Sequence, residues 1–278
     1  MPSKITIHQI IKEYGILLNR GHAKSLGQHF LCNKTLLRKI VATALPFDES
    51  DIIEIGPGPG GLTIAISEVA GKSKIFAIEK DKNLKPLHGD LLKRLNCNIE
   101  FIYNDALKVS LNELTKNNIT IIANLPYNVG TRLLVNWLLN IGRIKKMVLM
   151  FQTEVAERIC AKVKTAQYSR LSVISQLICQ TEKIFDISNK AFYPIPKVMS
   201  SIVRLTPKTV IDSETLLNLQ RLISHAFQHR RKTIYSILKT YYKDYDIEKV
   251  IQACGIEKTN RPESISPEIF LKLSKMLH

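Results

Sequence analysis

Short apolar runs recur along the first 200 residues, separated by stretches with helical spacing or helix-forming composition. Such alternation is typical of a parallel sheet with helices on both faces. We therefore predict an α/β domain whose strands occupy residues 51–55, 74–78, 99–103, 120–123 and 146–151. Two weaker apolar segments, 183–187 and 200–205, predict an antiparallel pair at one edge of the sheet.

The pattern changes after Pro207, where helical spacing replaces the short apolar runs. Helices are predicted over residues 214–229, 233–242, 247–254 and 267–277. We place a domain boundary at Pro207, so that residues 1–207 form the α/β domain and 208–278 form a small all-α domain. Apolar residues at helical spacing also predict a packed helix in the first twenty residues, which lack the features of a signal peptide.

The charge balance indicates an anionic partner. Lys plus Arg number 40 against 24 Asp plus Glu, which gives a net charge of +16 and a pI near 9.6. Such an excess attracts nucleic acid first and an anionic membrane second. No apolar run reaches the roughly 18 residues of a membrane span. The dispersed cysteines predict reduced thiols in a cytoplasmic protein and no metal site; they are Cys32, Cys97, Cys160, Cys179 and Cys254.

A glycine-rich turn follows the first strand, within residues 52–63. Ligands of open α/β sheets bind at the carboxyl ends of the strands. Glu79 ends the second strand 23 residues after Gly56, where an acid can accept both hydroxyls of a ribose. Pro57 and Pro59 remove backbone donors from the turn, and no phosphate-binding Lys-Ser/Thr pair follows it. The turn therefore favours a nucleoside ligand over NAD or ATP.

Two further strand ends carry polar residues. Asp105 ends the third strand, where its carboxylate can accept a hydrogen bond from an adenine amine. Asn124-Leu125-Pro126-Tyr127 follows the fourth apolar run, 19 residues after Asp105, and so lies beside the same ligand. An ordinary turn would explain the Asn and the Pro. Such a turn explains neither Tyr127 nor the position of the tetrapeptide at the end of a strand.

The chemistry that suits this tetrapeptide is transfer to an adenine amine. The lone pair of that amine is delocalised into the ring, and an acceptor on each N–H localises it. The Asn124 side-chain oxygen provides one acceptor and a carbonyl of Leu125 or Pro126 the other. Tyr127 offers a ring on which a flipped-out base stacks, and Phe192 is a candidate for its other face. The alternative for Phe192 is an ordinary core aromatic beside a proline-rich turn.

In combination, these residues resemble the ribosomal RNA adenine dimethyltransferases, and among them the small-subunit (16S) enzymes of bacteria. The resemblance runs from about Lys24 to the last helices. It rests on the glycine turn, the acid Glu79, and the segments IGPGPGGLT, NDAL, NLPY, FQTEVAER and FYPIPKVMS.

The resemblance implies a Rossmann-like class I methyltransferase domain that uses S-adenosylmethionine. It implies that two adjacent adenosines near the 3′ end of small-subunit rRNA become N6,N6-dimethyladenosine. It also implies cofactor contacts at His29, Leu31, Gly56, Glu79, Asp105 and Asn124. At His29 the chain departs from the family, which usually has Asn there, so the contact is expected through the imidazole or through the backbone alone.

RNA contacts are expected in two basic regions. Arg230, Arg231 and Lys232 lie between two helical patterns, where adjacent cations can grip phosphates, and they match the RRKT segment of the family. Arg158 belongs to a second basic region after the tetrapeptide. A solvated charge run is the alternative for the first of these regions.

The sequence leaves several other functions open. One is a 23S rRNA adenine methyltransferase of the resistance type, although Leu125 and the RRKT segment favour the small-subunit enzyme. Another is a non-catalytic RNA-binding factor for ribosome assembly. A DNA adenine methyltransferase is disfavoured, since we identify no target-recognition domain. The expected partner is the 30S pre-ribosomal particle, bound in the cytoplasm by a monomer.

Overall fold

The computed structural model of the protein describes residues 29–277. The predicted helix in the first twenty residues lies outside the described residues. The strands are β1 (Phe30–Leu31), β2 (Asp51–Ile55), β3 (Ile75–Glu79), β4 (Ile99–Tyr103), β5 (Ile119–Asn124), β6 (Ile144–Gln152), β7 (Cys179–Ile187), β8 (Phe192–Tyr193) and β9 (Ser200–Pro207).

Helices connect these strands and follow the last of them. They are α1 (Lys34–Ala42), α2 (Gly61–Ser67), α3 (Lys85–Arg94), α4 (Leu111–Leu114), α5 (Gly130–Leu139), α6 (Thr153–Ile159), α7 (Arg170–Ile178), α8 (Ser213–Gln228), α9 (Ile234–Tyr241), α10 (Ile247–Ala253) and α11 (Pro267–Met276).

Seven strands form one mixed sheet in the order β4-β3-β2-β5-β6-β9-β7. The five predicted strands, β2 to β6, run parallel to one another, which confirms the α/β prediction. Strand β9 pairs antiparallel with β6, and β7 lies beyond it at the edge. The two weaker segments are therefore neighbours at one edge, and both strands are longer than predicted.

The sheet interior explains why β2, β3 and β5 read as continuous apolar runs. All five residues of β2 and of β3 are buried, as a parallel strand covered on both faces requires. Two of the three acids in these strands, Glu54 and Glu79, are 1% and 4% exposed. A buried carboxylate needs hydrogen-bond partners, and the partners of both acids lie at the carboxyl edge of the sheet.

A separate two-stranded sheet lies beside that edge. Strand β1 pairs antiparallel with β8, with Phe30 opposite Tyr193 and Leu31 opposite Phe192. Phe30, Leu31 and Phe192 belong to the apolar core, with 7%, 5% and 3% of their surface exposed. The pairing fixes the chain that precedes α1 next to the carboxyl ends of the parallel strands.

The chain divides into two compact units. The first comprises the described residues up to Asn136, with Gly142–Ala156 and Glu182–Thr206. The second comprises Trp137–Ile141, Glu157–Thr181 and the residues from Pro207 onward. Its core is an apolar cluster around helices α7 to α11 that includes the buried Tyr168 and Phe270. The four predicted C-terminal helices, α8 to α11, are present with ends shifted by one residue at most.

Candidate active site

A cavity lies at the carboxyl ends of the parallel strands. Within residues 29–277 it is lined by His29, Phe30, Ile55, Gly56, Gly58, Ile78, Glu79, Lys80, Asn104, Asp105, Ala106, Asn124, Leu125, Pro126, Tyr127, Asn128, Val129 and Leu133. The predicted residues at four strand ends therefore face one space. Parallel strands bring their carboxyl ends to one edge, which is why residues far apart in the chain meet there.

The glycine turn at one wall of the cavity requires its glycines. Gly58 has a φ of +53°, and a Cβ at this position would lie 2.9 Å from Cε1 of Phe30. A side chain would therefore meet both backbone strain and a clash with a core aromatic. The turn closes through a hydrogen bond from Gly60 N–H to the Pro57 carbonyl at 2.9 Å.

Glu79 lies at the end of β3 with both carboxylate oxygens engaged by backbone. Oε2 accepts from Gly58 N–H at 3.1 Å, and Oε1 accepts from Asp81 N–H at 2.8 Å. Burial raises the pKa of the carboxyl, and the two backbone donors oppose that effect. Each oxygen keeps a second lone pair, so Glu79 can also accept from hydroxyls of a ligand.

Asp105 follows β4 and faces the same cavity. Its Oδ2 accepts from Nζ of Lys80 at 2.9 Å, and its Oδ1 accepts from Leu107 N–H at 3.0 Å. The Lys80 ammonium lowers the pKa of this carboxyl below its ordinary value. Asp105 is therefore a charged acceptor held in one orientation. Lys80 follows Glu79 directly in the chain, yet no sequence pattern indicates its ion pair with Asp105.

Asn124 ends β5 with its amide fixed. Nδ2 donates to the backbone carbonyl of His29 at 3.0 Å. Because the nitrogen end of the amide is bound there, the oxygen is the end available to a donor in the cavity. The Asn124 oxygen is therefore held in one orientation, in which it can accept a hydrogen bond from an N–H group of a substrate amine.

The two candidate carbonyls after Asn124 differ in their partners. The Pro126 carbonyl accepts from Val129 N–H at 3.1 Å and from Gly130 N–H at 2.9 Å. These two bonds begin α5 and occupy both lone pairs of that oxygen. The Leu125 carbonyl is then the remaining candidate for the second acceptor, and the Leu125 side chain is anchored in the core at 2% exposure.

Tyr127 is held on two sides. Its hydroxyl lies 2.7 Å from Oγ of Ser200, a fully buried residue at the start of β9. Its ring stacks on the imidazole of His29, with centroids 5.5 Å apart and planes 29° apart. Burial raises the pKa of the phenol. Ser200 is the last residue of the FYPIPKVMS segment, and nothing in the sequence pattern predicts its contact with Tyr127.

His29 joins three segments of the site. Its Nδ1–H donates to the Pro194 carbonyl at 2.8 Å, since a carbonyl oxygen only accepts. Its ring contacts Tyr127, and its own carbonyl binds Asn124. The imidazole is thus engaged with protein partners while it also lines the cavity. A direct contact between His29 and a cofactor stays a prediction.

Two predicted residues lie in the core beside the cavity. Leu31 and Phe192 lie opposite each other in the pairing of β1 with β8, and both side chains are buried. Neither residue lines the cavity. The contact between Leu31 and a cofactor therefore stays a prediction, and the buried Phe192 ring has little open surface to offer a base in this conformation. The exposed aromatic of β8 is Tyr193, at 47%. The role of Phe192 stays a prediction.

The predicted RNA-binding residues lie in the second unit. Arg230, Arg231 and Lys232 are exposed in the turn between α8 and α9. Arg230 donates from Nη2 to the Ala166 carbonyl at 3.1 Å, and Thr233 caps the start of α9. Arg158 is half-buried on α6. The three exposed cations that precede the start of α9 suit phosphate contacts.

Two further features of the described residues concern metal binding and membrane spanning. No group of three or more His, Cys, Asp or Glu side chains within residues 29–277 is arranged to hold a metal ion. None of the helices described there has the length and apolar character that crossing a bilayer demands.

Comparison with known proteins identifies the family. A family model described as "Ribosomal RNA adenine dimethylase" matches residues 19–278. A "Ribosomal RNA small subunit methyltransferase A" from Rhodospirillum rubrum is 37% identical over 270 residues, which is 97% of this chain and 91% of that protein.

Solved structures agree on the fold. A dimethyladenosine transferase from Plasmodium falciparum superimposes with a TM-score of 0.73 and 29% identity, covering 88% of this chain and 96% of the other. The 23S rRNA methyltransferase ErmE superimposes with a TM-score of 0.68 at 24% identity, covering 89% and 99%, and shows the Rossmann-like methyltransferase fold alone. The chain belongs to the ribosomal RNA adenine dimethylase family.

Proposed function

We propose that this protein transfers methyl groups from S-adenosylmethionine to the N6 amines of two adjacent adenosines near the 3′ end of 16S rRNA, giving N6,N6-dimethyladenosine. Family membership supports rRNA adenine as the substrate. The observation that carries the proposal is the amide of Asn124. Its nitrogen is bound to His29, so its oxygen faces the cavity that Gly56, Glu79 and Asp105 also line.

The donor set fits S-adenosylmethionine. Gly58 has no Cβ, so the turn packs closely against the Phe30 ring, which also lines the cavity. Glu79 is suited to hold the ribose hydroxyls, and Asp105 to accept from the adenine amine of the cofactor. Gly56 and Asn124 complete the walls. When bound, the cofactor supplies an electrophilic methyl group on a sulfonium.

The chain's own residues prepare the substrate amine. In the first transfer to each adenosine, the Asn124 oxygen and the Leu125 carbonyl accept from the two N–H groups of the amine, which localises the nitrogen lone pair for attack. In the second transfer, one of these acceptors binds the single N–H that remains. Both acceptors are fixed before substrate arrives, one by His29 and the other by the turn that begins α5. Such preorganised acceptors lower the barrier without a strong base.

Tyr127 is proposed to hold the target base by stacking. Ser200 and His29 fix its ring, so the ring loses little freedom when a base binds. A target adenine must leave its helix to reach the cavity. Phe192 is retained as a candidate for the other face, which requires its segment to expose the ring.

The RNA is proposed to be held through its phosphates by Arg230, Arg231, Lys232 and Arg158. Three of these cations are exposed, and the net charge of +16 favours a polyanion. We assign catalysis to residues 1–207 and rRNA binding to residues 208–278, to which Arg158 adds a contact from the first segment. The substrate is the 30S pre-ribosomal particle in the cytoplasm, and the reaction has a role in small-subunit biogenesis. A monomer suffices, because one chain supplies all of these site residues.

The decisive experiment replaces Asn124 with Ala. Removal of one preorganised acceptor is expected to lower kcat about 100-fold or more, measured as radiolabelled methyl transfer to unmethylated 30S particles. Asn118→Ala is the control, since this exposed residue precedes the opposite end of the same strand. Equal incorporation by wild type and Asn124→Ala would contradict the catalytic assignment.

Mapping the methylated nucleotides separates the remaining alternatives. Dimethylation of two adjacent adenosines in 16S rRNA supports the proposal. Methylation of 23S rRNA alone identifies an enzyme of the resistance type, and binding of 30S particles without methylation identifies a non-catalytic assembly factor.

A further inference from the structure

A buried histidine outside the cavity lies behind the glycine turn. His88, on α3, is 1% exposed. Its Nε2 lies 2.8 Å from the carbonyl oxygen of Gly58, and its Nδ1 lies 2.9 Å from the hydroxyl of Tyr103. One ring therefore connects the turn after β2 with the end of β4.

The partners determine the protonation of the ring. The Gly58 carbonyl only accepts, so Nε2 carries the hydrogen. Burial lowers the pKa of His88, which favours the neutral ring, and Nδ1 then accepts from the Tyr103 hydroxyl. Phe101 stacks on the imidazole with centroids 4.1 Å apart and planes 11° apart. The ring is thus fixed in position, tautomer and plane.

Gly58 is held from both sides. Its carbonyl accepts from His88, while its N–H donates to Oε2 of Glu79. A shift of this peptide would disturb the carboxylate that faces the ribose site. The other partner, Tyr103, precedes Asn104 and Asp105, both of which line the cavity.

We propose that His88 is a positioning residue of the cofactor site, which fixes the glycine turn and Glu79 relative to the strand end that carries Asp105. The inference rests on the proposed function, because it takes S-adenosylmethionine as the ligand. His88 is absent from the cavity lining. It therefore acts on cofactor affinity through Gly58 and Tyr103.

The experiment measures binding of S-adenosylhomocysteine to the full chain by calorimetry, independently of RNA. His88→Leu leaves the Gly58 carbonyl without its buried donor, and we expect at least tenfold weaker binding, about 1.4 kcal/mol. His88→Gln places an amide N–H near the position of Nε2, and we expect binding within about threefold of wild type.

Two further variants separate positioning from general destabilisation. Tyr103→Phe keeps the ring and removes the hydroxyl, and we expect weaker binding because the Nε2–H tautomer loses its support. Leu87→Ala removes a buried side chain from the same helix. We expect it to lower the thermal midpoint without a comparable loss of affinity.

Kinetics provide a second readout. With 30S particles as substrate, His88→Leu is expected to raise KM for S-adenosylmethionine and to leave kcat within about threefold, since the acceptors at Asn124 and Leu125 are unchanged. Wild-type affinity in His88→Leu, or an equal loss in Leu87→Ala, would overturn the positioning role. Absence of cofactor binding by the wild type would instead count against the proposed function.

Discussion

Glu54 is a carboxyl group inside the sheet with one unsatisfied oxygen. Its Oε2 accepts from the Thr63 hydroxyl at 2.6 Å, and its Oε1 has no hydrogen-bond partner among the described residues. Burial raises its pKa to about 8. The folded chain therefore keeps a proton on Glu54 at neutral pH, whereas the unfolded chain releases it above pH 4.5.

This difference predicts a pH-dependent stability. Between about pH 4.5 and 8 the folded state binds the extra proton, so Glu54 lowers the free energy of unfolding as pH rises through that window. Glu54→Gln removes the titration. We expect its stability relative to wild type to increase from pH 5 to pH 8 by on the order of 4 kcal/mol, measured by urea unfolding. Parallel pH profiles for the two proteins would contradict the assignment of the proton to Glu54.

Single residues show what a sequence can and cannot predict about the site. The sequence predicts that four residues meet at one edge of the sheet: Gly56, Glu79, Asp105 and Asn124. Apolar runs locate the strands, and parallel strands share one carboxyl edge. The contacts of His88 were not predictable, since they depend on which side chains of separate elements meet in the interior. Local pattern carries no information about such long-range pairings.

At the scale of elements, Gly58 in the turn between β2 and α2 can be compared with Gly71, which follows α2. Gly58 and Gly71 both have positive φ, at +53° and +59°. An added Cβ meets Phe30 at the first position and nothing within 4 Å at the second. Both Ala variants should therefore share a strain of roughly 1–2 kcal/mol, and only Gly58→Ala adds a clash, with Phe30 at the wall of the cavity.

We expect Gly58→Ala to weaken binding of S-adenosylhomocysteine at least tenfold, about 1.4 kcal/mol, and Gly71→Ala to leave it near the wild-type value. Calorimetric titration of the two variants against wild type checks this. Equal affinities in the two variants would mean that Phe30 does not restrict the turn.

The elements themselves were largely predictable, because their apolar periodicity is strong. The ends of β5 and β6 extend one or two residues beyond the predicted runs. The flanking residues still pair, both the apolar Ile119 and Ile144 and the polar Asn124 and Gln152. The short pairing of β1 with β8 was not predicted. Two-residue strands have too little pattern to be recognised, and their partner lies in a distant part of the chain.

For the molecule as a whole, the excess of basic residues predicts strongly salt-dependent RNA binding. Removing one phosphate-binding cation reduces the slope of log K against log salt by about 0.7 to 0.9. The triple change of Arg230, Arg231 and Lys232 to Ala is expected to reduce that slope by about 2. Filter binding of 30S particles over a range of salt concentrations measures it.

The control removes the same charge elsewhere. Lys72, Lys93 and Lys116 are exposed cations of the first unit, and their triple Ala variant should retain most of the wild-type slope. If both triple variants reduce the slope equally, net charge governs binding and the turn between α8 and α9 makes no specific phosphate contacts.

The antiparallel pairing of β1 with β8 has a consequence for synthesis. His29 and Pro194 are 165 positions apart, and a ribosome adds roughly 5–20 residues per second. Strand β1 is therefore synthesised on the order of ten seconds before strand β8, the partner that holds it next to Asn124. A nascent or prematurely terminated chain can carry every acid of the cavity and still lack an assembled site at Asn124, where we propose that the substrate amine binds. The enzyme is thus completed late in its own translation.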